Sequence, residues 1–123
     1  MNGLISVIVF MSIFPLTVHA TSQDELSNYQ EIKAKLEKSD KELNVLYKSQ
    51  IDEYKKEGGA FYGQNESRDI YLKKSQQAWI KIKDADCAYE TYESQKGTGF
   101  QSIYLQCLLE KTNSRIKYLK ENN

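Results

Sequence analysis

The chain has 123 residues, the length of a single domain, and its 17 basic and 17 acidic residues give a formal net charge of zero. This balance does not favour nucleic-acid binding or a polybasic membrane patch. The only histidine, His19, lies in an apolar N-terminal segment. The rest of the chain therefore has no imidazole general base, no histidine-activated nucleophile and no histidine metal ligand, which argues against a catalytic or metal site.

The first twenty residues have the features of a secretory signal peptide. Leu4 to Val18 is almost wholly apolar, no charged side chain precedes Asp24, and Val18-His19-Ala20 places small residues at the −3 and −1 positions of a cleavage site. A membrane anchor is the alternative, but the apolar run is shorter than the roughly 20 residues that span a bilayer. We therefore expect residues 21–123 to be a periplasmic or secreted protein without stable membrane insertion.

The segment that follows has helical patterning up to the first glycine pair. Ser22 and Glu25 have the spacing of a capping box, so the first helix is predicted to begin at Ser22. A second cap signal, Ser39 with Glu42, divides the apolar stripe. The region is thus either two helices or one kinked helix ending before Gly58. The apolar positions are Leu26, Tyr29, Ile32, Leu36, Leu43, Leu46, Tyr47, Ile51 and Tyr54.

Glycine clusters predict the two connections in the second half of the chain. Residues 58–66 are predicted to form a loop, and Ser67 or Asn65 is the expected cap of the next helix, which ends near Gln95. Because the apolar residues of this helix cover more than one face, we predict that it is the central helix. The last helix follows the Gly97-Thr98-Gly99 turn.

Two cysteines, Cys87 and Cys107, lie on either side of the second glycine turn. An even number of cysteines in an exported chain indicates a disulfide, with two buried free thiols as the alternative. No long stretch alternates apolar and polar residues, so strand signals are absent. The predicted fold is all-α: a small bundle of three to four helices with one disulfide between the last two helices.

Ordered motifs over residues 40–119 resemble those of a known family. Residues 40–47 resemble the pattern D-x-x-L-N-x-x-Y, residues 72–87 resemble L-x-x-x-Q-x-x-W-I-x-x-x-D-x-x-C, and residues 107–119 resemble C-x(4)-T-x-x-R-x-x-x-L. The family is the lysozyme-inhibitor LprI-like domain, DUF1311, and the resemblance assigns residues 21–123 to it. The motif positions are Leu43, Asn44, Tyr47, Gln76, Trp79, Asp84, Cys87, Cys107, Thr112, Arg115 and Leu119.

The motif residues have structural roles in our interpretation. Trp79 is expected in the core, with a recognition anchor as the alternative. Asn44 and Gln76 are expected to form hydrogen bonds across helices rather than with solvent. Arg115 and Asp84 have the chemistry of an ion pair between the last two helices, with two separate surface charges as the alternative.

Asp86 and Glu90 lie one helical turn apart. A glycosidase needs a pair of carboxylates, but two acidic residues at this spacing are typical of a solvated helix face. We predict no catalytic residue, metal or cofactor. The resemblance implies an exported helical protein that binds and blocks a cell-wall hydrolase such as lysozyme. An envelope structural or interaction protein without inhibitory activity is the alternative, and an enzyme that uses carboxylates alone is the least supported hypothesis.

We predict that the exported protein begins at Thr21, because signal peptidase cleaves after small residues such as those at 18 and 20. Measuring the intact mass of the exported product identifies its first residue. Retention of residues 1–20 in a membrane fraction would show that the segment is an anchor.

Overall fold

A single long helix, α1, forms one side of the molecule. The computed structural model describes residues 18–123, with side chains from Gln23 onward, and α1 runs from Val18 to Glu57 without interruption. The predicted start at Ser22 is therefore wrong, and of the two alternatives for this region, two helices or one, the structure has one helix. The physical reason is that residues 18–57 contain no glycine or proline, so a cap-like serine alone does not end the helix.

Two shorter helices complete the fold. They are α2, Arg68–Glu90, and α3, Phe100–Glu121, with a one-turn 3₁₀ helix at Tyr92–Ser94 between them. The described residues contain no strand, so the predicted all-α class is confirmed with three helices. At about 1.5 Å per residue, α1 is about 60 Å long and each of the other two helices about 33 Å. The predicted signal peptide lies almost entirely in residues 1–17, outside the described part of the chain.

The core is a seam between α1 and α3, which run parallel to each other. One cluster contains Ile32, Leu36 and Leu109, and a second contains Leu43, Ile116 and Leu119. Residue numbers rise together along the two helices: the start of α3 lies beside Glu25, near the start of α1, and its end lies beside Tyr54, near the end of α1. These two helices share the largest interface in the described structure.

Helix α2 packs against only the second cluster, through Leu72 and Trp79. The prediction that it is the central helix is wrong. Its additional apolar positions face solvent instead of a third layer: Ile82 is 57% exposed and Tyr89 is 81% exposed. In this chain, the helix with apolar residues on several faces is therefore a surface helix that leaves some of those side chains exposed.

Polar contacts fasten the ends of the helices. The buried Gln50 amide donates to the carbonyl oxygen of Leu119 at 3.0 Å, and the Tyr54 hydroxyl donates to Oδ1 of Asn123 at 2.8 Å. Ser39 Oγ donates to Oδ1 of Asn113 at 2.7 Å. The side chain that was predicted to cap a helix thus links α1 to α3.

The loop between α1 and α2 matches the glycine prediction. Gly58, Gly59 and Gly63 have φ values of 62°, 71° and 82°, a region that favours glycine, and Ser67 occupies the N-cap position. Helix α2 ends at Glu90 rather than near Gln95. The hydroxyl and amide of Thr91 both donate to the carbonyl oxygen of Cys87, at 2.6 and 3.1 Å, and the chain continues into the 3₁₀ turn.

The disulfide Cys87–Cys107 joins α2 to α3, as predicted. Cys87 is fully buried beside the end of α2, so the link holds the C-terminal end of this helix against α3. No helix among residues 18–123 is both long and apolar enough to cross a membrane.

We expect reduction of the disulfide to lower the free energy of unfolding by about 3 kcal/mol while the helices persist, because the link closes a loop with a sequence separation of 20 residues. Denaturant melts with and without reductant, followed by circular dichroism, measure the loss. A variant with Cys87→Ala and Cys107→Ala is the control, since its melt should not respond to reductant. Two titratable thiols in the unreduced, unfolded protein would contradict the bond.

Candidate functional site

The motif residues divide into a buried group and an exposed group. Leu43 is buried in the second core cluster, and Tyr47 and Trp79 pack against that cluster while partly exposed. Asn44 faces solvent, so its predicted hydrogen bond across helices is wrong. The reason is its position directly after Leu43: when that residue points into the seam, its neighbour is turned about 100° away.

Arg115 is the centre of a polar contact between α2 and α3. It is 8% exposed, its Nε donates to Oε1 of Gln76 at 2.9 Å, and its Nη2 donates to Oγ of Ser75 at 2.9 Å. The guanidinium also lies over the rings of Tyr118 and Trp79, with 4.8 and 5.7 Å to the ring centroids. The predicted interhelical role of Gln76 is thus seen, with Arg115 as its partner.

The ion pair predicted between Arg115 and Asp84 is absent from the described structure. Asp84 has a side chain that is 58% exposed and lies 3.7 Å from Nζ of the adjacent Lys83. The reason is helical geometry: Arg115 meets α2 at Ser75 and Gln76, and Asp84 lies eight residues, or about 12 Å, further along the helix axis.

Arg115 is a buried cation whose charge is balanced by dipoles and aromatic faces. Burial lowers the pKa of the Arg115 guanidinium from its ordinary value, and the nearby Tyr118 acts in the opposite direction. A guanidinium keeps its proton at neutral pH, so the amide oxygen of Gln76, the hydroxyl of Ser75 and the ring faces offset part of the desolvation cost. The arrangement fixes the angle of α2 and serves structure.

Two other features are candidate binding surfaces. The first, which we call the acidic-aromatic surface, comprises Asp86, Tyr89, Glu90, Tyr92 and Glu93. Residues 84–95 contain four acidic residues and no basic one. Tyr89 and Tyr92 are 81% and 71% exposed. Aromatic side chains with acidic neighbours at one end of a bundle can supply both contact area and charge to a partner.

Glu90 has a structural contact as well. Its carboxylate lies 3.0 Å from Nζ of Lys111 on α3, and hydrogen bonding to Glu90 is the main reason why the pKa of Lys111 is raised. Glu90 also lies near the sulfur atoms of Cys87 and Cys107. Because those sulfurs are bonded to each other, they are not thiolate ligands, and the cluster does not have the donors of a metal site.

The second feature is the groove beside the loop between α1 and α2, which the sequence analysis did not identify as a site. Its volume is about 540 Å³, and its lining includes Phe61, Tyr62 and Tyr71. These rings are 70%, 90% and 46% exposed. The sequence feature that could have indicated this groove is the pair Phe61 and Tyr62, two adjacent aromatic residues inside a glycine-rich loop. No helical apolar pattern accounts for them.

We expect Arg115→Ala to lower the free energy of unfolding by about 2–3 kcal/mol, because it leaves the buried groups of Gln76 and Ser75 without their donor. Lys117→Ala is a matched control on the same helix, since the Lys117 side chain is 76% exposed. Asp84→Ala should change stability by less than about 0.5 kcal/mol. Denaturant melts and a double-mutant cycle measure these values. A large coupling energy between Arg115 and Asp84, or no coupling energy between Arg115 and Gln76, would contradict the observed contacts.

Comparison with known proteins gives the family. The sequence profile of the lysozyme inhibitor LprI family matches residues 18–119. The chain is also similar to a DUF1311 family protein from Pseudomonas putida KT2440, whose crystal structure was determined at 1.85 Å resolution. The two chains are 21% identical, with a TM-score of 0.64 over 77% of this chain and 89% of that chain, a likeness that shows the fold.

No curated protein gives a significant match. The family profile nevertheless extends over almost all of the described residues, from the first turn of α1 to the end of the seam at Leu119. The resemblance expected from the sequence motifs is therefore confirmed, and the chain belongs to the lysozyme inhibitor LprI family.

Proposed function

We propose that the protein is an exported, non-catalytic inhibitor that binds and blocks a cell-wall hydrolase of the lysozyme type. The observation that carries this proposal is the family match over residues 18–119, because the family is named for lysozyme inhibition. The proposal assigns residues 21–123 to the mature inhibitor and residues 1–20 to a cleaved signal peptide.

Export is supported by two independent features of the chain. Leu4 to Val18 has the composition of a signal peptide. The Cys87–Cys107 disulfide belongs to an oxidising compartment, where such bonds form and persist. A periplasmic or secreted location also brings the protein to the polymer on which cell-wall hydrolases act.

The contacts of Asp86 and Glu90, the carboxylate pair noted in the sequence, support a non-catalytic role. Glu90 contacts Lys111 at 3.0 Å, and this ion pair links two helices. Asp86 lies on the same helix, one turn earlier, so the two carboxylates do not face each other across a substrate cleft. With no histidine after His19, the predicted mature chain has no imidazole general base.

The acidic-aromatic surface is our proposed contact with the enzyme. A basic lysozyme would be attracted by the carboxylates of Asp86 and Glu93, although the whole chain is neutral and so gives no long-range steering. Tyr89 and Tyr92 offer large exposed rings, and tyrosine is among the residues that contribute most to interface energy. The disulfide holds this end of α2 rigid, which lowers the entropy lost on binding.

We expect the mature protein to inhibit peptidoglycan lysis by a basic lysozyme, and Tyr92→Ala to weaken inhibition by about tenfold or more. The matched control is Tyr62→Ala, which removes a ring that is 90% exposed at the other end of α2. Direct titration by calorimetry, repeated at high salt, separates binding from effects on the substrate and tests the carboxylate contribution.

Failure of the wild-type protein to bind or inhibit the enzyme would contradict the inhibitor proposal and leave the alternative of an envelope interaction protein. Inhibition that is retained in Tyr89→Ala and Tyr92→Ala but lost in Tyr62→Ala would show that the contact surface is assigned to the wrong end. Lysis by the protein alone would contradict its non-catalytic assignment.

A further inference from the structure

Glycines shape the loop between α1 and α2 that borders the groove. Gly58 and Gly59, both with positive φ, turn the chain away from α1, and the Phe61 ring lies 3.8 Å from the position that a Cβ of Gly59 would occupy. The Tyr62 amide donates to Oε1 of Gln64 at 2.9 Å. Phe61 and Tyr62 line the groove together with Tyr71.

Two residues that line the groove, Arg68 and Tyr54, contact the C-terminal end of the chain. Arg68, the first residue of α2, lies over the ring of Tyr54 with 4.3 Å to its centroid, and its Nη2 donates to the carbonyl oxygen of Asn122 at 3.2 Å. Tyr54 is itself buried and bonded to Asn123. Tyr54, near the end of α1, and Arg68, at the start of α2, are thus both bonded to the residues that follow α3.

The charges of the groove nearly cancel. Glu66 is paired with Lys74 at 2.6 Å. Glu57 and Arg68, which carry opposite charges, form no ion pair in the part of the chain that the structure describes. The Glu57 carboxylate would repel a strongly anionic ligand, and the Arg68 guanidinium would repel a strongly cationic one.

The remaining polar groups can both donate and accept hydrogen bonds. The Glu57 carboxylate accepts, the guanidinium of Arg68 donates through nitrogens other than the one bound to Asn122, and the Gln64 amide group retains its NH₂ donors. A purely apolar ligand would leave these groups without partners. A ligand with hydroxyl or amide groups at its edge and a carbon-rich face would satisfy both the polar groups and the rings.

We infer that this groove, formed by Phe61, Tyr62, Tyr71, Gln64 and Arg68, binds an uncharged pyranose saccharide. The C–H face of a sugar ring packs on aromatic side chains, and its hydroxyl groups match the donors and acceptors at the edge. The volume of about 540 Å³ is in the range of small-ligand sites. The inference does not depend on hydrolase inhibition, since it concerns the opposite end of α2 and a different class of ligand.

The test is a titration of the ¹⁵N-labelled mature protein with a β-1,4-linked trimer of N-acetylglucosamine, with no hydrolase present. We expect amide chemical-shift changes confined to the groove, at residues 54–71. Phe61→Ala and Tyr62→Ala should each weaken binding by about tenfold, because each removes a ring that packs on the sugar. Val45→Ala, at a side chain that is 63% exposed and belongs to neither proposed surface, is the control and should bind the trimer as the wild type does.

Several results would overturn the inference. They are the absence of shift changes at millimolar trimer, changes centred outside the groove, or equal binding by the wild type and both loop variants. Equivalent shifts with inorganic phosphate would show an anion site at Arg68 instead. Because Tyr62 is 90% exposed, Tyr62→Ala should fold even if Phe61→Ala disturbs the loop. Loss of trimer binding with retained lysozyme binding would separate this site from the proposed inhibitory surface.

Discussion

The apolar seam between α1 and α3 is the constraint on which the rest of the molecule depends. Ile32, Leu36 and Leu43 face Leu109 and Ile116 along this seam, and it supplies both core clusters. A small domain of this kind has limited apolar area to bury, so most of its stability must come from the one long interface. Helix α2 adds contacts at one cluster only, which leaves most of its surface to solvent.

Because α2 has so little core of its own, specific links determine where it lies. The Cys87–Cys107 disulfide holds its C-terminal end, and Arg115 with Gln76 and Ser75 holds its middle. Arg68 fastens its first turn to the end of α3. These links fix the two ends of α2 in position, and each end carries one of the surfaces that we assign to binding.

The two surfaces differ in chemistry, and this difference suggests a division of roles. The acidic-aromatic surface beside the disulfide suits a basic protein, whereas the nearly neutral groove beside the loop suits a saccharide. Their nearest residues on α2, Tyr71 and Asp86, are 15 residues or about 22 Å apart along the helix, so a saccharide in the groove does not cover the acidic-aromatic surface. If both proposals hold, the groove would retain the inhibitor on the polymer that the hydrolase cleaves.

The sequence by itself determined the helical class, the glycine-rich connections, the disulfide and the family, because these depend on local spacing and on residue types with few alternatives. The tertiary structure decided the rest. Packing kept α1 continuous through Ser39, since a cap signal is weak compared with a long apolar seam. It paired Arg115 with Gln76 rather than Asp84, because helix rotation and register, which periodicity alone does not define, select the neighbours across an interface. It also brought Arg68, Tyr71 and the loop aromatics together, since a groove between separate segments exists only once the helices have packed.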